Sequence, residues 1–240
     1  MNIDPGMRGQ LFRLPDRPSH NYKLPSNILG VICGPSMSGK TTYMLNLILS
    51  TVDPRTRHIT EYSVLNPDII YIFAPTIDQP LYQTLFKLKD QVPNICSDIE
   101  TFNSLDKLPD PSELDPEYER KCIIIDDAIV LKNQDKLINY FTRGRHQGCD
   151  TFYLTQRFYE VPMMIRDQLH MVISFDSKPD TYNALYHMSN THMSLPQFKN
   201  WAKNRVKDGG YYLPKVIVSG ELRDGIVPPV VHQPYKYLSK

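Results

Sequence analysis

Apolar residues along this chain gather in short unbroken runs that are separated by polar or helix-patterned stretches. Runs of strand length lie at residues 27–33 (NILGVIC), 68–74 (DIIYIFA), 122–127 (CIIIDD), 149–155 (CDTFYLT) and 171–175 (MVISF), and a weaker candidate lies at 95–102. Unbroken runs of β-branched and aromatic residues are typical of strands buried on both faces of a parallel sheet. We therefore expect a mostly parallel central sheet.

Between these runs, the spacing of apolar residues favours helices. Leu81, Leu85 and Leu88 recur at helical spacing behind Pro80, a residue suited to the first turn of a helix. We expect helices at 41–50, 80–91, 131–142, 161–168, 180–188 and 195–206, and a terminal hairpin formed by 211–219 and 225–231. Strands that alternate with helices predict an α/β domain with three layers, in which the sheet lies between two layers of helices.

One strand-to-helix connection carries a complete phosphate-binding loop. It reads Gly34, Pro35, Ser36, Met37, Ser38, Gly39, Lys40, Thr41 and Thr42, and it fills every fixed position of G-x-x-x-x-G-K-[ST]. The glycines let backbone N–H groups curl around a phosphate, and the helix that follows points its positive end at the anion. We expect Lys40 to reach the β- and γ-phosphates and the Thr41 hydroxyl to ligate Mg²⁺. The loop predicts a P-loop NTPase fold of the RecA/ASCE-like kind.

The strand expected at 122–127 ends in two carboxylates, Asp126 and Asp127. At the carboxyl end of a buried strand they would enter the crevice in which open α/β sheets bind ligands. Asp126 would hold Mg²⁺ through water, and Asp127 would polarise the attacking water. Such a strand end is often only structural, but downstream of a complete phosphate loop it indicates a Walker B strand.

Two arginines, Arg143 and Arg145, lie at the end of the helix expected at 131–142. They either compensate the helix dipole or act as an arginine finger that reaches the γ-phosphate in the next subunit. The strand at 149–155 brings Gln156 to the sheet edge that holds Asp126. A polar side chain there can sense the γ-phosphate or position water, and a hydrogen-bonded loop glutamine is the alternative.

Length, charge and cysteine content indicate the general class of protein but do not identify a binding partner. The 240 residues fit one domain, which we expect to comprise 27–240, with a Pro-rich basic arm at 1–26 and a helical and hairpin extension from about residue 177. The net charge of +1 means that nucleic-acid contact must come from local clusters. Scattered cysteines without a C-x-x-C pair indicate reduced thiols. No apolar run reaches the length of a membrane span, and a signal-peptide pattern is absent, so we expect an intracellular protein.

The motifs together resemble a known family. They are GPSMSGKT at 34–41, IIYIFAP at 69–75, CIIIDDA at 122–128, and FTRGRHQGCDTFYLTQ at 141–156 with YEVP after it. From about residue 29 to 175 the chain resembles the genome-packaging ATPases of large DNA viruses, the poxvirus-type branch of the FtsK/HerA translocase superfamily. The resemblance implies an ATP- and Mg²⁺-dependent motor that threads double-stranded viral DNA into a preformed capsid as a homo-oligomeric ring. It also implies capsid or portal partners, and a location in the host cytoplasm, at the viral assembly site or on the virion.

The resemblance also assigns roles to residues already singled out. These are Lys40 and Thr41 for phosphate and Mg²⁺, Asp126 and Asp127 as the acidic pair, Gln156 as the polar residue after the fourth strand, and Arg145, with Arg143 as its rival, as the finger that acts in trans. Many members of the superfamily have glutamate where Asp127 stands, and a shorter carboxylate reaches less far. Asp127 is therefore less secure as the sole catalytic base.

Three other functions stay open at this point. The loop at 34–41 also looks like that of thymidine-kinase-type nucleoside kinases, although those enzymes usually carry a zinc site built from C-x-x-C pairs, which this sequence lacks. A GTP-binding switch would need an N-K-x-D motif after the acidic strand, and no such motif follows it in this sequence. A virion assembly factor that hydrolyses nucleotide slowly has the same sequence features as a motor, and only stimulation of turnover by DNA separates the two.

Overall fold

The computed structural model describes residues 27–49, 65, 67–91, 96–128, 131, 133–175, 178–204, 215–218 and 221–224. The arm expected at 1–26 lies outside the described residues, as do 225–231 of the expected hairpin.

The described strands form one central sheet. They are β1 (Leu29–Cys33), β2 (Ile69–Phe73), β3 (Asp98–Phe102), β4 (Lys121–Asp126), β5 (Cys149–Thr155), β6 (Met171–Ser174), β7 (Lys215–Val218) and β8 (Glu221–Asp224). Their spatial order is β3-β2-β4-β5-β1-β6-β7-β8. All pairs from β3 to β6 are parallel, and β7 and β8 add an antiparallel hairpin beside β6. The mostly parallel sheet is confirmed, and β5 lies beside β1.

Helices connect the strands. They are α1 (Lys40–Leu49), α2 (Pro80–Gln91), α3 (Asp135–Arg143), α4 (Met163–Arg166), α5 (Pro179–Met188) and α6 (Leu195–Asn204), with single turns of 3-10 helix at Pro111–Glu113, Gly144–Gln147 and Phe158–Glu160. No helix in the described part of the chain is long and apolar enough to cross a membrane.

The five central strands β1, β2, β4, β5 and β6 are buried on both faces, which is why most of them read as largely apolar runs. Successive side chains of a strand point to opposite faces. In β2, Ile70 and Ile72 join a buried cluster with residues of α1 and α2, whereas Ile69, Tyr71 and Phe73 join a second cluster with residues of α3 and α6. The three-layer architecture follows from this alternation.

Two helices are shorter than expected because local backbone geometry delays their start. Helix α3 begins at Asp135, since the Asn133 side chain accepts a hydrogen bond from the Asp135 amide at 2.8 Å, a local bond that competes with helix formation. Helix α4 begins only at Met163, since Pro162 is extended with ψ of 138°. The expected helices at 131–142 and 161–168 were therefore too long.

The terminal hairpin exists, but its second strand was placed too late in the chain. Strand β8 pairs with β7 in the register Val218↔Glu221. The sequence pattern predicts the second strand at 225–231, whereas β8 spans Glu221–Asp224. The hairpin continues the central sheet, because Ile217 of β7 pairs with Val172 of β6.

Candidate active site

The phosphate-binding loop lies at the carboxyl edge of the sheet, between β1 and α1. The Gly34 amide donates to the Thr155 carbonyl at 3.1 Å and so ties the loop to β5. A β-carbon on Gly34 would lie 2.7 Å from Cβ of Phe175, which leaves no room for a side chain. Gly39 has φ of +94°, a conformation that favours glycine. Steric demands within the loop itself therefore explain both fixed glycines.

The interior of the loop offers hydrogen-bond donors to an anion. The first amides of α1 have no carbonyl one turn earlier in the helix to which they could donate. Among the described residues, the buried hydroxyl of Ser38 has no hydrogen-bond partner. Since phosphate oxygens are strong acceptors, these groups fit the phosphates of a nucleotide.

Lys40 folds back over this loop. Its ammonium donates to the carbonyls of Gly34 at 3.1 Å and Pro35 at 2.9 Å, and the residue is only 8% exposed. Burial lowers the pKa of Lys40, and the carboxylates of Asp126 and Asp127 oppose that shift. A phosphate would be a stronger partner than either neutral carbonyl, because its negative charge attracts the ammonium.

Thr41 and Asp126 meet across the site. Oγ1 of Thr41 lies 3.4 Å from Oδ2 of Asp126, which is 3% exposed at the end of β4. Burial raises the pKa of Asp126, and the charge of Asp127 adds to the shift, whereas the hydrogen bond from Tyr82 and the charge of Lys40 oppose it. Two hard oxygen donors, one of them the buried carboxylate of Asp126, fit Mg²⁺.

Asp127 leaves the strand in a left-handed conformation, with φ of +51°. Aspartate tolerates this region better than most residues do. The Asp127 amide still donates to the Leu154 carbonyl at 3.4 Å, so the residue stays attached to β5. Its side chain is partly exposed, unlike that of Asp126. The pair thus combines one buried carboxylate with one that solvent can reach.

Gln156 lies at the same edge. In the register of the parallel pair β4–β5, Asp126 lies opposite Leu154, and Gln156 follows two residues later with an exposed side chain. Thr155, its neighbour, holds the loop through the Gly34 amide. This register places Gln156 at the sheet edge that holds Asp126, which is the position expected from the sequence.

The two arginines lie at the other edge of the sheet. Both Arg143 and Arg145 are exposed, and the Arg145 carbonyl accepts a hydrogen bond from the Asn27 side chain ahead of β1. Burial, and then the positive charge of Arg145, lowers the pKa of His170, which precedes β6. Strand β5 has seven residues, which separate the two edges by about 23 Å. The arginines therefore cannot reach a phosphate bound in their own subunit.

One residue of the site was not expected from the sequence. Tyr82 of α2 donates its hydroxyl to Oδ2 of Asp126 at 2.7 Å and is fully buried. Burial, together with the charge of Asp126, raises the pKa of Tyr82 far above its usual value, so the phenol keeps its proton. The sequence did offer one signal, since Tyr82 lies three residues before Leu85 and hence on the same buried helix face.

This topology and site define a P-loop NTPase fold, and solved structures share it. The genome packaging NTPase B204 from Sulfolobus turreted icosahedral virus 2, in complex with ATPγS, has a TM-score of 0.51 and 16% identity over 82% of this chain and 96% of its own. The DNA-packaging ATPase B204 from Sulfolobus turreted icosahedral virus has a TM-score of 0.53, 16% identity and coverage of 82% and 97%. EssC (ATPases 2 and 3) from Geobacillus thermodenitrificans has a TM-score of 0.51, 14% identity and coverage of 87% and 40%. At identities this low, the structural similarity shows a shared fold and nothing more.

Sequence comparison identifies the family. Residues 22–198 match the family described as Poxvirus A32 protein, and the chain belongs to that family. The search of curated proteins found no match.

Proposed function

We propose that this protein is an ATP-hydrolysing motor that moves double-stranded viral DNA into a preformed capsid. The observation that carries the proposal is the meeting of Lys40, Thr41 and Asp126 at one sheet edge, in a member of the Poxvirus A32 family. Further support comes from the shared fold of B204, which is described as a genome packaging NTPase.

The proposed mechanism assigns one task to each residue of the carboxyl edge. The loop amides and the Lys40 ammonium bind the phosphates of ATP, with Lys40 exchanging its loop carbonyls for phosphate oxygens. Thr41 and Asp126 would hold Mg²⁺, which supplies neutralisation of the charge that develops on the phosphates. Asp127 accepts a proton from the attacking water, and Gln156 orients that water.

The second part of the proposal is a homo-oligomeric ring. Arg145, or its neighbour Arg143, would complete the active site of the adjacent subunit as an arginine finger. The distance across the sheet supports action in trans, since each arginine lies at the edge opposite its own phosphate loop. A ring places the arginine edge of one subunit against the nucleotide edge of the next.

The proposed motor function also implies partners other than a second copy of the chain. A packaging motor contacts the backbone of double-stranded DNA and docks on a capsid or portal protein. It would act in the host cytoplasm at the site of viral assembly, or on the virion.

The test is steady-state ATP hydrolysis by the full chain, with and without linear double-stranded DNA, at low and moderate salt. We expect severalfold stimulation that weakens with salt, because phosphate contacts release counterions. Lys40→Ala should lower the hydrolysis rate at least about a hundredfold. Lys136→Ala is the matched control, since Lys136 also donates to a carbonyl, that of Leu105 at 3.0 Å, but lies on α3.

Two results would contradict the proposal. Phosphate transfer from ATP to thymidine, without stimulation by DNA, would identify a nucleoside kinase. Slow hydrolysis that DNA does not change at any salt concentration would favour an assembly factor.

A further inference from the structure

Tyr82 occupies an unusual place for a buried tyrosine. It lies in the first turns of α2, in the same buried apolar cluster as Met44 of α1 and Leu85. Its hydroxyl, which needs a partner inside this apolar layer, finds it in Asp126 at the end of β4. The bond joins residues 44 positions apart in the chain and ties α2 to the candidate metal ligand.

Both hydroxyl groups at this carboxylate reach the same oxygen. Tyr82 donates to Oδ2 at 2.7 Å, whereas Thr41 lies 3.4 Å from that atom, at the long limit of a hydrogen bond. The tyrosine therefore makes the stronger of the two contacts. A carboxylate has about four acceptor positions, so these contacts fix its rotation and leave positions for other ligands.

We propose that Tyr82 is a positioning residue, which holds the Asp126 carboxylate in the orientation that binds the Mg²⁺ of a Mg²⁺–nucleotide complex. The inference rests on the proposed function, because it concerns the same site. Asp126 is buried at the end of β4. Without the bond from Tyr82, its carboxylate could rotate. A fixed ligand loses less conformational entropy when the metal binds, and the groups that orient metal ligands typically change affinity by about tenfold or more.

The test uses Tyr82→Phe, which removes the hydroxyl and keeps the ring in the core. A fluorescent, non-hydrolysable ATP analogue is titrated into the full chain with EDTA and then with Mg²⁺, and the two dissociation constants are compared. The ratio of the constants is the gain in affinity due to Mg²⁺. We expect Tyr82→Phe to reduce that gain about tenfold while the affinity in EDTA stays unchanged.

Tyr140→Phe is the matched control. Tyr140 is also a fully buried tyrosine on a helix, and its hydroxyl donates to the Pro109 carbonyl at 2.6 Å, away from the nucleotide edge. We expect its Mg²⁺ gain to equal that of the wild type. If the only effect of Tyr82→Phe were to destabilise the fold, its thermal unfolding would shift like that of Tyr140→Phe. The variant would then keep the full gain in affinity due to Mg²⁺.

The outcomes separate this inference from the proposed function. A full Mg²⁺ gain in Tyr82→Phe, beside a wild type that binds the analogue, would overturn the positioning role alone. Equal losses of affinity in EDTA and in Mg²⁺ would also overturn it, because the residue would then shape the whole pocket. A wild type that binds no analogue under either condition would overturn the proposed function, and this inference with it.

Discussion

Arg145 lies far from the phosphate-binding loop of its own subunit, so the proposed finger role would place it in the site of a neighbour. Its carbonyl is held by Asn27 at the amino edge of the sheet, while Lys40 lies beyond the carboxyl end of β1. This separation was available from the sequence, because Arg145 precedes its strand whereas Asp126 ends the neighbouring one. In the proposed mechanism, only an oligomer could bring Arg145 and Lys40 to the same nucleotide.

Mixed assemblies test the action of Arg145 in trans. Lys40→Ala and Arg145→Ala should each lower ATP hydrolysis severely, by about a thousandfold for the arginine. A mixture of the two variants should regain activity, because some interfaces then pair an intact phosphate loop with an intact arginine. The measurement is the rate of hydrolysis of the mixture against that of each variant alone.

The rival arginine provides the comparison. If Arg143 is the finger, the mixture with Arg143→Ala regains activity and Arg145→Ala alone stays close to the wild type. A mixture with Arg145→Ala that is as inactive as its components would contradict action in trans.

At the scale of single residues, the sequence predicted what a motif fixes and missed what packing fixes. The loop glycines and Lys40 were expected, because phosphate chemistry constrains their types and spacing. Tyr82 was missed because its partner, Asp126, is distant in the chain, and helical periodicity indicates burial but not the direction of a hydroxyl.

Among the elements, strands β2 and β4 are joined at their amino ends by an ion pair. Asp68 accepts from the Arg120 guanidinium at 2.6 Å and from the Arg120 amide at 2.8 Å, and the Asp68 amide donates back to the Arg120 carbonyl at 2.7 Å. Burial acts to raise the pKa of Asp68, but the hydrogen bonds and charge of Arg120 outweigh it and hold the pKa below its usual value. The pair stabilises the start of two adjacent strands.

Asp68→Asn should lower the free energy of unfolding by about 1 kcal/mol at pH 7, a modest value because the pair is partly exposed. Since the pKa is lower in the folded state, the stabilisation is complete above the unfolded pKa of about 4 and is lost as the pH falls through the folded pKa. Urea unfolding of both proteins from pH 7 to pH 3 measures the difference.

The control for this comparison is Asp106→Asn, which removes an exposed carboxylate elsewhere. It should leave the free energy of unfolding unchanged. A difference between wild type and Asp68→Asn that is as large at pH 3 as at pH 7 would contradict the role of the ionised carboxylate.

The strands were predicted more closely than the helices. Strand β5 has the bounds expected from the sequence, Cys149–Thr155, and every one of its residues is buried. The start of α3 depends instead on the side chain of Asn133, and that of α4 on the backbone of Pro162. Such local competition changes boundaries without changing the hydrophobic pattern.

Viewed as a whole, the molecule places its candidate functional residues at two opposite edges of one sheet. The carboxyl edge holds Lys40, Asp126 and Gln156, and the amino edge presents Arg143 and Arg145 to solvent. In a ring, each hydrolysis event would then involve two subunits. This arrangement would let the nucleotide state of one subunit affect its neighbour, as the coordinated movement of DNA requires.

Movement along DNA is the central claim, and release of a third strand from a linear duplex measures it most directly. The full chain is mixed with a duplex that carries a bound triplex-forming strand, and release of that strand is followed over time. With ATP and Mg²⁺ the wild type should release the strand, whereas Lys40→Ala, and the wild type with a non-hydrolysable analogue, should leave it bound. Absence of release under conditions in which DNA stimulates hydrolysis, or release that needs no ATP, would contradict the account of this protein as a translocating motor.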